Sequence, residues 1–189
     1  MCLKWNKSFP TQLPYGVIIN FRMVLSIACI LGNYFTYQCE YVKLFLVPNV
    51  AFASWSIISF FAHALDLQKN LSTNPDVYFY IPFAIIDFSI GLFGTIYYGL
   101  QSIFVISCFL EPMSFYDDSK IIQLLILFPV SFAPTFAVAW IHALFCILIF
   151  VKKLNLKELP IKEMVIEGDT ISYMIPNLNS DKETIFSID

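Results

Sequence analysis

Three side chains able to carry charge stand inside apolar stretches of this sequence. Arg22 interrupts the block from Tyr15 to Phe35, Asp87 lies in IPFAIIDFSIGLFG, and His142 lies within Ile121–Val151. A charge deep in hydrocarbon costs about 2.5–3.5 kcal/mol on insertion scales. Such residues therefore meet partners, line a water-filled path, or reach for the interface. A guanidinium fork can satisfy both oxygens of a carboxylate, so Arg22 and Asp87 form the expected pair, with His142 near them. The pair would then fix one helix against another. The same three groups could instead relay protons or coordinate a transported ion. In a third arrangement they do not meet, and Arg22 snorkels outward. Arg22, Asp87 and His142 are thus the candidate intramembrane polar cluster.

The elements that must position them are long and oily. Of 189 residues, 58% are hydrophobic and 13% charged, with a mean hydropathy of +0.72; soluble domains carry about 25% charged residues. Four apolar blocks appear, at about 15–35, 44–65, 77–110 and 121–151. About 20 apolar residues span a bilayer core as a helix, and lipid tolerates no unpaired backbone. The sequence therefore predicts an all-α membrane protein, a four-transmembrane-helix bundle with long third and fourth helices. At 1.5 Å per residue the last two blocks would measure about 51 and 46 Å, against a core of about 30 Å. A bend is expected near Pro129 or Pro134. With helix edges at residues 15, 78 and 151, Arg22 falls about 10 Å deep, and Asp87 and His142 each about 13 Å. His63, near the end of the second block, is placed at the headgroups.

The division that follows is a cytoplasmic N-terminus (1–14), a helical membrane domain (15–151) and a cytoplasmic tail (152–189), mostly disordered. The first block reads as a retained helix, since about 20 residues precede its uninterrupted apolar run and no small-x-small cleavage site follows. A hairpin in EMVIEGDTISYMI, around Gly168, is the alternative to a flexible tail there. Lys4, Lys7, Lys69, Lys152, Lys153, Lys157 and Lys162 would share the side of both termini, and Lys43 and Lys120 the other. Positively charged loops stay inside, so both termini are expected in the cytoplasm. The Asn6 and Asn70 sequons would then remain bare.

Five cysteines show no metal-ligand spacing. Cys39 and Cys108 fall toward the non-cytoplasmic side and are the candidate disulfide. Cys2 is a candidate for lipidation. Ser89, Gly91 and Gly94 offer a neighbouring helix a close approach, and Trp55 and Trp140 read as packing residues. There is no HExxH, GxSxG or P-loop. No enzyme activity, cofactor or metal site is expected, and scattered basic residues give no nucleic-acid surface.

Ile81-Pro82-Phe83 and Asp87-Phe88, set in a long third span of a four-span chain, resemble the lysosome-associated protein transmembrane family and its invertebrate relatives. The resemblance covers about Tyr15 to Leu154. It implies an endosomal or lysosomal membrane protein that sorts or regulates other membrane proteins. The tail here lacks that family's proline-tyrosine motifs, so ligase recruitment does not follow. The expected function is a multi-pass interaction or sorting module in an endolysosomal or plasma membrane, with the lipid bilayer and other membrane proteins as partners. The alternative is a small transporter or channel subunit built on Arg22, Asp87 and His142.

Overall fold

The structure, a computed structural model, describes residues 5–35, 40–68, 80–110, 118–155, 161–173 and 186–187. Four helices carry the apolar blocks: α1 (Tyr15–Phe35), α2 (Glu40–Ala64), α3 (Phe83–Leu110) and α4 (Asp118–Asn155). All four are long and apolar enough to cross a membrane. At 28 residues α3 extends about 42 Å, and α4 at 38 residues about 57 Å. Both exceed a hydrocarbon core of about 30 Å.

Successive helices run antiparallel. The start of α1, the end of α2, the start of α3 and the end of α4 gather at one end of the bundle, called here the tail-side end. The backbone contacts show this directly. Asn6 N donates to Ala64 O at 2.9 Å, and Tyr15 N donates to Gly168 O at 2.8 Å. Helix α4 packs along α3 and α1, and α1 also packs on α2, whereas the α2–α3 seam is thinner.

Polarity is distributed inside out. Arg22, His63 and Asp87 are fully buried, while Phe93 is 66% and Trp140 62% exposed. Water would impose the opposite arrangement, and lipid permits this one. Several hydroxyls within the helices are satisfied locally. Ser89, Thr95, Ser102 and Thr135 each donate to the carbonyl four residues back, which quiets a polar group on an apolar rod.

Helix α4 continues through Pro129 and Pro134. A proline takes no part in donating to the carbonyl four residues earlier. For Pro134 that carbonyl belongs to Val130, and Gly32 of α1 packs so close to it that a Cβ there would collide. Gly91 and Gly94 work similarly on α3. A Cβ on Gly91 would lie 2.8 Å from Cys146 Sγ, and one on Gly94 would lie 3.1 Å from the His142 ring. Ser89 turns its hydroxyl to its own helix instead.

The tail departs from the expectation of disorder over 161–173. Strands β1 (Met164–Ile166) and β2 (Ile171–Tyr173) form an antiparallel hairpin whose turn places Gly168 at φ 100°, and β3 (Phe186–Ser187) pairs with β2. Positive φ favours glycine. Met164, Ile166 and Ile171 join the buried core with Phe9, Tyr15, Ile18, Phe60 and Ile149. A strand this short is stable only when its apolar side is covered, and the bundle end covers it. The N-terminal segment is likewise part of the fold. Phe9 is buried, with its ring 5.8 Å from His63 and 6.4 Å from Phe60.

Candidate functional site

The polar cluster forms where α1, α2 and α3 meet at the tail-side end. Arg22 and Asp87 are together: Arg22 Nη2 donates to Asp87 Oδ1 at 2.8 Å. The helix geometry explains how they reach each other. Because α3 begins at Phe83, Asp87 lies one turn inside it, about 6 Å along, whereas Arg22 is seven residues into α1, about 10 Å along. Helical side chains lean toward the N-terminus. Both lean toward the tail-side end, and the longer arginine makes up the difference in depth.

The third ionisable partner is His63, not His142. His63 Nε2 lies 2.9 Å from Asp87 Oδ2. Two more α2 groups converge on the same carboxylate: Trp55 Nε1 donates to Oδ1 at 2.8 Å and Ser59 Oγ donates to Oδ2 at 2.6 Å. Arg22 Nη2 also donates to Ser59 Oγ, which closes the ring. Asp87 thus accepts four hydrogen bonds, about the full capacity of a carboxylate. The guanidinium carbon sits 5.1 Å from the centroid of the Phe145 ring of α4. Every helix of the bundle touches this centre.

The misplacement of His142 has a physical cause. Depth along an axis does not say which way a side chain faces. His142 stacks on Tyr98 at 5.8 Å and meets the edge of Phe52 at 6.2 Å, in the space that Gly94 leaves open. Its two ring nitrogens have no hydrogen-bond partner among the described residues. His63 is fully buried rather than open to the surroundings, because Phe9, Phe83 and the tail hairpin cover the end of α2. The α2 spacing offered a signal: Trp55, Ser59 and His63 recur every four residues, which is one helical face.

The protonation of His63 follows from its neighbours. Gln68 Oε1 accepts from Ile166 N at 3.0 Å, and Gln68 Nε2 donates to Ile166 O. That pairing fixes which end of the amide is oxygen. The same oxygen lies 3.0 Å from His63 Nδ1, so Nδ1 must carry a proton. Nε2 faces a carboxylate already engaged by Arg22, so it donates too. His63, Gln68 and Ile166 thus connect Asp87 to the tail.

Two other regions complete the interior. Toward the far end, Asn33 Oδ1 accepts from Ser131 Oγ at 2.7 Å, and Cys29 Sγ lies 3.3 Å from Thr135 Oγ1. These neutral contacts clip α1 to α4. Between clip and cluster, Ser26, Asn49, Tyr98, Gln101 and His142 are buried with polar atoms unpartnered among the described residues.

The candidate disulfide is described at one end. Cys108 is disulfide-bonded, and Cys39 lies outside the described residues, as does the candidate lipidation site Cys2. Cys29 and Cys146 are free and buried. Among the described residues no group of three or more His, Cys, Asp or Glu could hold a metal ion. Trp140 lies on the outer surface, 6.2 Å from Phe136. Comparison with family models, curated proteins and solved structures finds no match for this chain.

Proposed function

We propose that this chain is a four-span integral membrane protein that acts as an interaction or sorting module and performs no catalysis. The saturation of Asp87 carries the reading. Four donors from α1 and α2 occupy the carboxylate, and the site is sealed. A carboxylate so occupied offers no open position to a substrate. What it does is hold the thin α2–α3 seam, where packing alone supplies less. Its role is structural, and activity is left to the outer helix faces and the tail.

Orientation supports a cytoplasmic tail. The lysine excess lies on the side of both termini. Cys108, near the other end of α3, is disulfide-bonded, and such bonds persist in oxidising compartments. An endolysosomal or plasma membrane fits both, and the resemblance around Ile81-Pro82-Phe83 and Asp87-Phe88 favours the former. The test is imaging of tagged protein with proximity labelling from the tail. Recurrent membrane-protein neighbours are expected; labelling no different from an unrelated four-span control overturns the reading.

A second reading, a transporter or channel subunit, is favoured by one observation: the unpartnered polar atoms of Ser26, Tyr98, Gln101 and His142. Buried polar groups in native proteins find partners, often water. A hydrated interior would show as solute flux into proteoliposomes that His142→Leu abolishes. Asp87→Asn separates the two readings: loss of folded protein supports the structural role, and loss of flux alone supports transport.

A further inference from the structure

We infer that His63 is a proton-operated latch that docks the tail hairpin on the bundle. This rests on reading the tail as the part that meets partners. The latch itself stands on contacts already described. Gln68 pairs with Ile166 as a strand would, with its amide oxygen taking the Ile166 N–H and its amide nitrogen giving to the Ile166 carbonyl. His63 Nδ1 donates to the same oxygen, and His63 Nε2 donates to Asp87. The docked state therefore holds two protons on one imidazole.

Loss of one proton has a defined consequence. The remaining proton stays on Nε2, because a hydrogen bond to a carboxylate is roughly twice as strong as one to a neutral amide. Nδ1 then presents a lone pair to Gln68 Oε1, acceptor against acceptor at 3.0 Å. Gln68 cannot relieve this by turning its amide over. That rotation would set its NH2 against the Ile166 N–H and its oxygen against the Ile166 carbonyl. The remaining escape is for Gln68 and β1 to move away together.

The surroundings of His63 leave the choice to this proton. Among the described residues its one charged hydrogen-bond partner is Asp87 on α3, and Arg22 on α1 holds the other oxygen of that carboxylate. Phe9 and Phe83 present neutral rings, and α2 itself adds Ser59 through Asp87. The hairpin's own charged residues, Lys162, Glu163, Glu167 and Asp169, flank β1 and its turn. The docked state binds one more proton than the released state. Falling pH favours docking and rising pH favours release, by up to about tenfold per pH unit for one proton. In a neutral cytoplasm the hairpin is freed for partners, and acidification at that membrane face withdraws it.

The test is hydrogen–deuterium exchange of the full-length protein in lipid nanodiscs at pH 5.5 and 8, corrected for intrinsic exchange. The backbone amides of 161–173 are expected to be at least tenfold more protected at pH 5.5, with α3 and α4 unchanged. Gln68→Leu, which removes the link and leaves Asp87 its partners, should leave those amides weakly protected at both values. His63→Gln, uncharged throughout, should also lose the pH dependence. Equal protection of the wild type at both values overturns the latch, and so does a pH response that persists in Gln68→Leu. These two measurements decide the matter even where His63→Gln fails to fold. The experiment involves no partner, so the latch and the interaction reading can fail separately.

Discussion

At its tail-side end the bundle gathers Arg22, Trp55, Ser59, His63 and Asp87, and every acceptor on the carboxylate is used. From one turn deeper onward it buries Ser26, Tyr98, Gln101 and His142 with polar atoms unpartnered among the described residues. The two regions share one environment of apolar helices, yet they solve burial differently. The difference is charge. An unpaired ion in this setting is prohibitive, so arginine and aspartate had to meet, although Arg22 Nε and Nη1 keep no hydrogen-bond partner among the described residues. A neutral hydroxyl or amide costs only about 1–3 kcal/mol when unpaired, which a bundle of this size can carry. The contacts of Asp87 with Trp55, Ser59 and His63 also cross the thin α2–α3 seam, so they add to packing that is sparse between these two helices.

Breaking the charged region should have the largest effect. Asp87→Ala leaves Arg22 buried without a counter-charge and is expected to cost about 3–5 kcal/mol. It should read as loss of monodisperse protein in detergent. The double change Arg22→Met with Asp87→Leu should recover most of that stability, because an apolar pair of similar volume removes both charges. A double variant no better than Asp87→Ala alone would show that geometry rather than charge is at stake.

Ser59→Ala comes next. It removes a hydroxyl that accepts from Arg22 and donates to Asp87, at about 1.5–3 kcal/mol for a bond to a charged group. Thermal unfolding followed by tryptophan fluorescence reads it, since Trp55 shares the same oxygen as Arg22. Gly91→Ala should cost about 1–3 kcal/mol by overpacking, because the new methyl would press on Cys146 Sγ and push α3 from α4.

The smallest effect sharpens the contrast most. Ser26→Ala lies one turn from Arg22 yet should change the midpoint of unfolding little, or raise it, because its hydroxyl has no protein partner among the described residues. A clear drop instead would mean that the middle of the bundle is hydrated, which would strengthen the transport reading. Comparing Ser26→Ala with Ser59→Ala asks the same question of the same atom in the two regions.

Much of this architecture was legible in the order of residues. Long apolar blocks can only be helices in lipid, and four of them at 15–35, 40–64, 83–110 and 118–155 follow the predicted spans within several residues. Pairing of Arg22 with Asp87 was also legible, because two opposite charges in hydrocarbon have few alternatives. His63 was missed because a residue at the end of a span reads as wet. The docked hairpin was underestimated because its strands are three residues long and look too weak to persist.

Sequence by itself therefore determined the rods, their lengths and the need for each buried charge to find its opposite, since these depend on hydropathy summed along the chain. Tertiary structure alone decided which histidine joined Asp87, where the tail came to rest and which polar groups stayed unpaired. Those outcomes depend on the rotation of each helix about its own axis and on chain segments folding back over the bundle end. Both are set by packing between residues distant in sequence, which no local pattern records.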